Sequence, residues 1–225
     1  CSAVLVRVLP SSDRSLVVRF GHEISGEARE HVRRLVWLLR SEPIRAVRNV
    51  NPAYCSVLVT FDVAQATHAE IERVLAGYLE RLEAVALPPP RQLEIPVHYG
   101  GMHGPDLEAV AAHCGLEPAE VIQRHAAGRY LVDFLGFSPG FAYLSGLDAR
   151  LATPRLEVPR RRVPAGSVGI GGNQTGVYPF STPGGWRLIG RTPLILFDPA
   201  REPMSLVAIG DRVRFLVADR ESACR

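Results

Sequence analysis

LGFSPGFAYL, residues 135–144, carries a G-x-S-x-G match at Gly136, Ser138 and Gly140. Two folds compete for these residues. In an α/β-hydrolase the pattern marks a nucleophile elbow, a sharp turn from a strand into a helix. The backbone N–H after the serine then helps to form the oxyanion hole. Here that residue is Pro139, which has no N–H, and the following GFAYLSG opens no helix. The stretch therefore predicts a strand ending in a Pro-Gly turn, with Phe137, Phe141 and Tyr143 lining a core or a pocket. Ser138 is not expected to act as a nucleophile.

The flanking sequence agrees. From Tyr130 onward the chain is a series of short β-prone runs cut by Gly and Pro: YLVDFLGF, VPAGSVGI, GVYPF, WRLIG, LILFD, MSLVAIG and RVRFLV. Short strands at this spacing predict a closed or nearly closed β-barrel. Before them, LEIPVHYG reads as a strand. PDLEAVAAHCG and EPAEVIQRHAAG read as two short helices, the first opening with Pro at N1 and ending at Gly115.

The first part of the chain has a different rhythm. Residues 4–8 and 15–20 read as strands joined by LPSSDR as the turn, and residues 25–40 as an amphipathic helix capped by Ser25. Its apolar stripe is Val32, Leu35, Val36 and Leu39. IRAVRNV and CSVLVTF are two further strands split by NPAY. Residues 67–84 form a second helix, with Thr67 and Glu70 spaced as a capping box and Ile71, Val74, Leu75, Tyr78 and Leu82 at helical spacing. The order ββαββα predicts an antiparallel sheet with two helices on one face. LPPPRQ at 87–92 is a stiff linker. The expectation is an α+β protein: a two-layer domain over residues 1–88 and a barrel domain over 89–225.

Composition narrows the chemistry. The chain has 225 residues, 47% of them hydrophobic and 22% charged, ordinary values for a globular protein with a substantial core. There is no lysine, so all 26 basic side chains are arginine. Schiff-base chemistry, a P-loop lysine and a Ser–Lys pair are thereby excluded. Arginine remains for binding carboxylate or phosphate. The net charge of +3 is spread over both halves and gives no nucleic-acid signature. No run reaches the length of a membrane span, and no signal peptide is visible. The chain opens at Cys1 without a Met, which leaves the native N-terminus open. The four cysteines (Cys1, Cys55, Cys114, Cys224) form no C-x-x-C pair, so no disulfide framework or zinc site is expected, and a reducing cytoplasm fits.

Several stretches invite a functional reading. GSVGIGGNQTG at 166–176 lacks both G-x-G-x-x-G and a GK[ST] ending, and Pro179 and Pro183 leave no helix to receive a phosphate. So many glycines still allow a ligand or another chain to approach the backbone closely. Gln174 and Tyr178 offer polar ends suited to orienting an amide or carboxylate. Arg155, Arg160, Arg161 and Arg162 crowd PRLEVPRRRVP at 154–164, read either as an anion patch or as a solvated loop. The seven histidines show no H-E-x-x-H or H-x-H. His98 and His103 flank YGGM, a weak ligand spacing, and no metal site is expected. His113 and His125 fall in helical segments and read as surface or packing residues.

Longer motifs carry a resemblance. YGGMHGPDL (99–107), GFSPGFAYLSGLD (136–148), PRRRVPAGSVGIGGNQTGVYP (159–179) and STPGGWRLIGRTP (181–193) resemble a family with several labels: the B-subunit of 5-oxoprolinase (PxpB-like), allophanate hydrolase subunit 1, or KipI-like kinase inhibitor. VVRFGHEIS and NPAYCSVLVTFD fit its first domain, so the likeness spans nearly the whole chain. Where the family reads G-I-A-G this chain has GIGG.

The resemblance implies an N-terminal α+β domain and a cyclophilin-like C-terminal barrel. It implies a related second subunit (PxpC/KipA-like) and a hydrolytic third subunit. Three activities are implied: ATP-dependent opening of 5-oxoproline to glutamate, a carboxyltransferase half related to urea carboxylase, or inhibition of a histidine kinase. Amidase-signature hydrolysis uses a Ser-Ser-Lys arrangement, which a chain without lysine cannot supply. The carboxyltransferase role needs a biotin carrier, for which the sequence has no domain. The oxoprolinase reading is preferred, with this chain a non-autonomous subunit that is not catalytic alone. The relatives' substrate pocket matches Gln174 and Tyr178. Backbone around Gly171, Gly172 and Gly184 would shape it, and Arg187 or Arg191 would hold a carboxylate or phosphate. ATP and magnesium are expected at the level of the complex, and no catalytic residue is assigned.

Overall fold

The computed structural model describes residues 5–218. Cys1, Val4 and Cys224, named above, lie outside them. The chain divides into two compact units, one ending at Pro89 and the next starting at Pro90.

In the first unit, strands β1 (Val6–Ser12), β2 (Ser15–Phe20), β3 (Val47–Pro52) and β4 (Ser56–Phe61) form an antiparallel sheet in the order β1-β2-β4-β3. Helix α1 (Gly26–Ser41) follows β2, and α2 (His68–Glu80) follows β4. Alternation along β2 and β4 sends Leu16, Val18, Phe20, Val57, Val59 and Phe61 to one fully buried face. The α1 stripe Val32, Leu35, Val36 and Leu39 is buried, and α1 packs on β2, β3 and β4. The Ser25 hydroxyl accepts from the Ala28 N–H at 3.0 Å, and Thr67 with Glu70 completes the capping box.

Three details differ from expectation. LPSS does not turn: β1 runs through Pro10 to Ser12. A proline is tolerated there because β1 is an edge strand, and the register shifts between Pro10 and Ser12. The second helix stops at Glu80, with a separate 3-10 turn at Leu82–Ala84. Val74 points outward.

In the second unit, seven strands close into a barrel: β5 (Gln92–Tyr99), β6 (Tyr130–Leu135), β7 (Ala142–Ser145), β9 (Ser167–Gly171), β10 (Gln174–Val177), β12 (Arg187–Arg191) and β13 (Arg212–Val217). Their order is β10-β7-β6-β13-β5-β12-β9, and β9 pairs back onto β10. The β13–β5 pair is parallel; the others are antiparallel. A short ladder of β8 (Arg160–Val163) and β11 (Thr182–Gly184) stands apart. Ile95, Val97, Val132, Leu144, Val168, Ile170, Val177, Ile189 and Phe215 share the core.

Helices α3 (Leu107–Cys114) and α4 (Pro118–Ala127) pack on each other, α3 against β12 and α4 against β13. Pro105 is not the first residue of α3: it precedes Asp106, the N-cap, whose carboxylate is held elsewhere (below). Pro118 does open α4, and Gly115 closes α3 in the left-handed region at φ +64°. LILFD and MSLVAIG form no strands. Prolines 193, 199 and 203 flank them, and one bridge, Phe197 to Ser205, remains.

Candidate functional site

The opening stretch folds as a hairpin. β6 and β7 flank it, with Leu135 opposite Ala142. The Gly136 N–H donates to the Phe141 carbonyl at 3.1 Å, and the Phe141 N–H to the Ser138 carbonyl at 3.0 Å. Gly140 takes φ +78°, and Phe137 takes φ +66°, uncommon for a side chain with a Cβ. No helix follows. The Ser138 Oγ is buried without a hydrogen-bond partner.

This hairpin borders an aromatic layer on the outside of the barrel. Along β9, Val168 and Ile170 enter the core, so Ser167, Gly169 and Gly171 face outward. On the paired strand, Gly176 lies opposite Gly169, and Gln174 opposite Gly171. The indole of Trp186 lies on this glycine face. A Cβ on Gly176 would meet its Cζ3 at 3.2 Å, a Cβ on Gly169 its Cβ at 3.2 Å, and a Cβ on Gly171 would overlap its ring nitrogen. The glycine run thus provides close approach for the chain's own tryptophan.

Around the indole stand Phe141 (ring centroids 5.5 Å), Tyr143 (6.3 Å) and Tyr178 (6.4 Å). Phe137 sits edge-on over Tyr178 at 6.3 Å. The Arg155 guanidinium lies 5.9 Å from the Trp186 ring centre, a cation–π contact. Phe141, Tyr178 and Trp186 are buried, whereas Phe137 is 63% exposed.

The expected site residues distribute as follows. Gln174 and Tyr178 share the outer side of the β10 line with Gly176 between them. Four strand residues put their Cα atoms about 13 Å apart, so they bracket the indole. Tyr178 is only 2% exposed. Burial pushes its phenol up, opposed by the Trp186 backbone N–H and by the charges of Arg155 and Arg160. Gly184 lies under it: a Cβ there would stand 2.6 Å from the Tyr178 hydroxyl. Gly172 forms the β9–β10 turn at φ +66° with open space around it. The Arg187 Nε points to the Pro154 carbonyl at 3.4 Å, and the Arg191 Nε to the Ala165 carbonyl at 2.8 Å.

Arg160, grouped with the loop arginines from the sequence, pairs with Asp106 at 2.7 Å, and the second Asp106 oxygen accepts the Leu188 N–H at 2.7 Å. This ion pair ties β8 to the α3 N-terminus and β12. Trp186 is a residue that reading along the sequence misses. Its signal is a tryptophan directly after Pro-Gly-Gly, downstream of a glycine run.

Inside the barrel, α4 delivers His125 among side chains of four strands. Its Nδ1 is 2.8 Å from the Tyr99 hydroxyl and its Nε2 2.9 Å from the Thr175 hydroxyl. The Thr175 hydroxyl donates to the Gly169 carbonyl at 3.0 Å, so it accepts from His125 Nε2–H, and Nδ1 accepts from Tyr99. Phe215 stacks on the ring at 4.6 Å. Complete burial pushes the imidazole down to about 3, so it stays neutral. The packing role read for His125 fits this position.

Among the described residues, no group of three or more His, Cys, Asp or Glu is placed to hold a metal ion, and no helix is long and apolar enough to cross a membrane.

Residues 6–207 match the family described as carboxyltransferase domain, subdomain C and D. A Bacillus subtilis protein, named as the B-subunit of 5-oxoprolinase, is 44% identical over an alignment of 214 positions that covers 91% of this chain and 89% of that protein. The solved structure of TTHA0988 superposes with a TM-score of 0.81 at 36% identity over 92% of this chain, which spans only 40% of that longer chain. The Kluyveromyces lactis urea amidolyase superposes with a TM-score of 0.75 at 18% identity, over 97% of this chain and 15% of the amidolyase, a likeness of fold alone. With a family match across most of its length and a near full-length relative at this identity, the chain belongs to the carboxyltransferase subdomain C and D family, in the branch that holds the 5-oxoprolinase B-subunits.

Proposed function

We propose that this chain is a non-autonomous subunit of an ATP-dependent 5-oxoprolinase, converting 5-oxo-L-proline to L-glutamate together with a related second subunit and a hydrolytic third. The observation that carries the reading is the 44% identity to the Bacillus subtilis protein across nearly the whole of both chains. The outer face of the barrel, which we read as cyclophilin-like, supplies a suitable surface. The buried indole of Trp186, 5% exposed, packs with Phe141, Tyr178 and Leu188 and backs this face from beneath. Gln174 stands at its edge to orient a lactam or carboxylate, Tyr178 walls its far end, and the backbone at Gly171, Gly172 and Gly184 gives it shape. Arg187 and Arg191 are the candidates for anionic groups. ATP and magnesium belong to the assembled complex.

The kinase-inhibitor alternative expects an exposed apolar patch over residues 137–143. Of the aromatic residues there, Phe137 alone is exposed.

The test is glutamate release from 5-oxoproline by this chain co-purified with its two partner subunits. Turnover is expected to need all three chains and ATP. Gln174→Ala in an intact complex is expected to lower kcat/KM for 5-oxoproline about 10²-fold, and Tyr178→Phe by less. An assembled complex without turnover overturns the reading.

A further inference from the structure

Three basic side chains lie on the barrel's outer face without an acidic partner among the described residues. Arg191 of β12 and His98 of β5 are directly opposed in the ladder, so they share a face. Tyr99, the neighbour of His98, turns inward to His125, which sends His98 outward. The ring of His103 lies 5.5 Å from that of His98, centre to centre.

The loop bearing His103 is anchored. The Gly100 N–H donates to the Ile189 carbonyl at 3.0 Å, and the His103 and Gly104 N–H groups return to the Gly100 carbonyl at 3.1 and 2.9 Å. Gly104 packs so closely on the Ile189 carbonyl that a Cβ would overlap it. The loop is thus bound to β12, the strand that carries Arg191.

The three groups retain unused donors. The bond from Arg191 Nε to the Ala165 carbonyl orients the guanidinium and leaves its two terminal amino groups without an acceptor among the described residues. Among those residues, neither imidazole has a hydrogen-bond partner. Asp106, the acid of the same loop, is already held by Arg160 and the Leu188 N–H.

The cluster adjoins the aromatic layer. Arg191 is opposite Ser167, whose carbonyl accepts the Tyr178 N–H. Two strand spacings, about 10 Å, separate Arg191 from Tyr178. A carboxylate is satisfied by one planar guanidinium. Donors from three separate elements instead suit a tetrahedral anion with oxygens on several sides.

We propose that His98, His103 and Arg191 hold a phosphate group, and that, resting on the oxoprolinase reading, this is the terminal phosphate of ATP.

Histidine side-chain NMR of the full chain tests this with inorganic phosphate, pyrophosphate and acetate at constant ionic strength. Phosphate and pyrophosphate are expected to shift two imidazoles saturably, assigned through His98→Gln and His103→Gln. Arg191→Gln is expected to weaken that binding about tenfold, with partial recovery in Arg191→Lys. No shift, shifts spread over all histidines, or an equal response to acetate overturns the phosphate site. In the three-subunit complex, Arg191→Gln is expected to raise KM for ATP by a larger factor than KM for 5-oxoproline. An unchanged KM for ATP overturns the nucleotide assignment. A wild-type complex without turnover fails the oxoprolinase reading, while the phosphate titration still decides the site.

Discussion

Gly171 lies directly beneath the indole of Trp186: a Cβ there would overlap Nε1 and stand 2.5 Å from Cδ1. The indole is 5% exposed and packs with Phe141, Tyr178 and Leu188, so it has little room to retreat. Gly171→Ala is expected to cost about 1–3 kcal/mol through overpacking and to red-shift Trp186 emission. Gly172→Ala separates packing from backbone strain. Its Cβ meets nothing within 4 Å, but its φ is +66°, so a loss of about 1–2 kcal/mol is expected with emission unchanged. Urea denaturation and fluorescence in a Trp37→Phe background measure both.

His125 makes the barrel acid-sensitive. Its imidazole is held at about 3 in the folded chain, against 6.5 for the free group. Between these values the unfolded chain binds a proton that the folded chain refuses, so stability falls as pH drops below 6.5 and levels off near 3. The total is on the order of a few kcal/mol. His125→Gln is expected to be less stable at pH 7 and to lose much of this slope. Urea midpoints from pH 7 to 4 decide the matter, and a wild-type slope in the variant overturns the assignment.

Local chemistry is legible in the sequence. Pro139 excludes the elbow because a missing N–H is a property of one residue, and the hairpin forms where Pro-Gly stands. The caps at Ser25 and Thr67 likewise depend on neighbours within three residues. What the sequence hides depends on pairing across strands. Trp186 reaches the glycine run because β12 lies beside β9, which spacing along the chain does not reveal. The same kind of pairing brings His98 to Arg191. Asp106 looks like part of a helix opening after Pro105, yet its carboxylate bonds Leu188, 82 residues away.

That Asp106 contact should dominate the stability of this corner. Its side chain is 9% exposed and joins Arg160 to the Leu188 N–H. Asp106→Ala leaves a buried N–H unpaired and a guanidinium without its counter-charge, at an expected cost of about 3 kcal/mol. Asp106→Asn keeps an oxygen for Leu188 and should lose roughly half as much. Equal losses in the two variants, compared by urea midpoint, would show that the charge pair rather than the backbone contact holds the corner.

Ser138→Ala tests the opening motif. A serine nucleophile is worth orders of magnitude in kcat, about 10⁶-fold where measured in a triad enzyme. The Ser138 Oγ instead lies buried in its own turn with no hydrogen-bond partner, and Pro139 has no N–H to donate to an oxyanion. The variant is therefore expected to keep turnover within about twofold in the three-subunit complex. Removing an unsatisfied buried hydroxyl should leave stability unchanged or raise it by up to about 1 kcal/mol. A loss of about 10³-fold or more in a variant of native stability would return this serine to the chemistry, because only direct participation in the transition state accounts for a fall of that size.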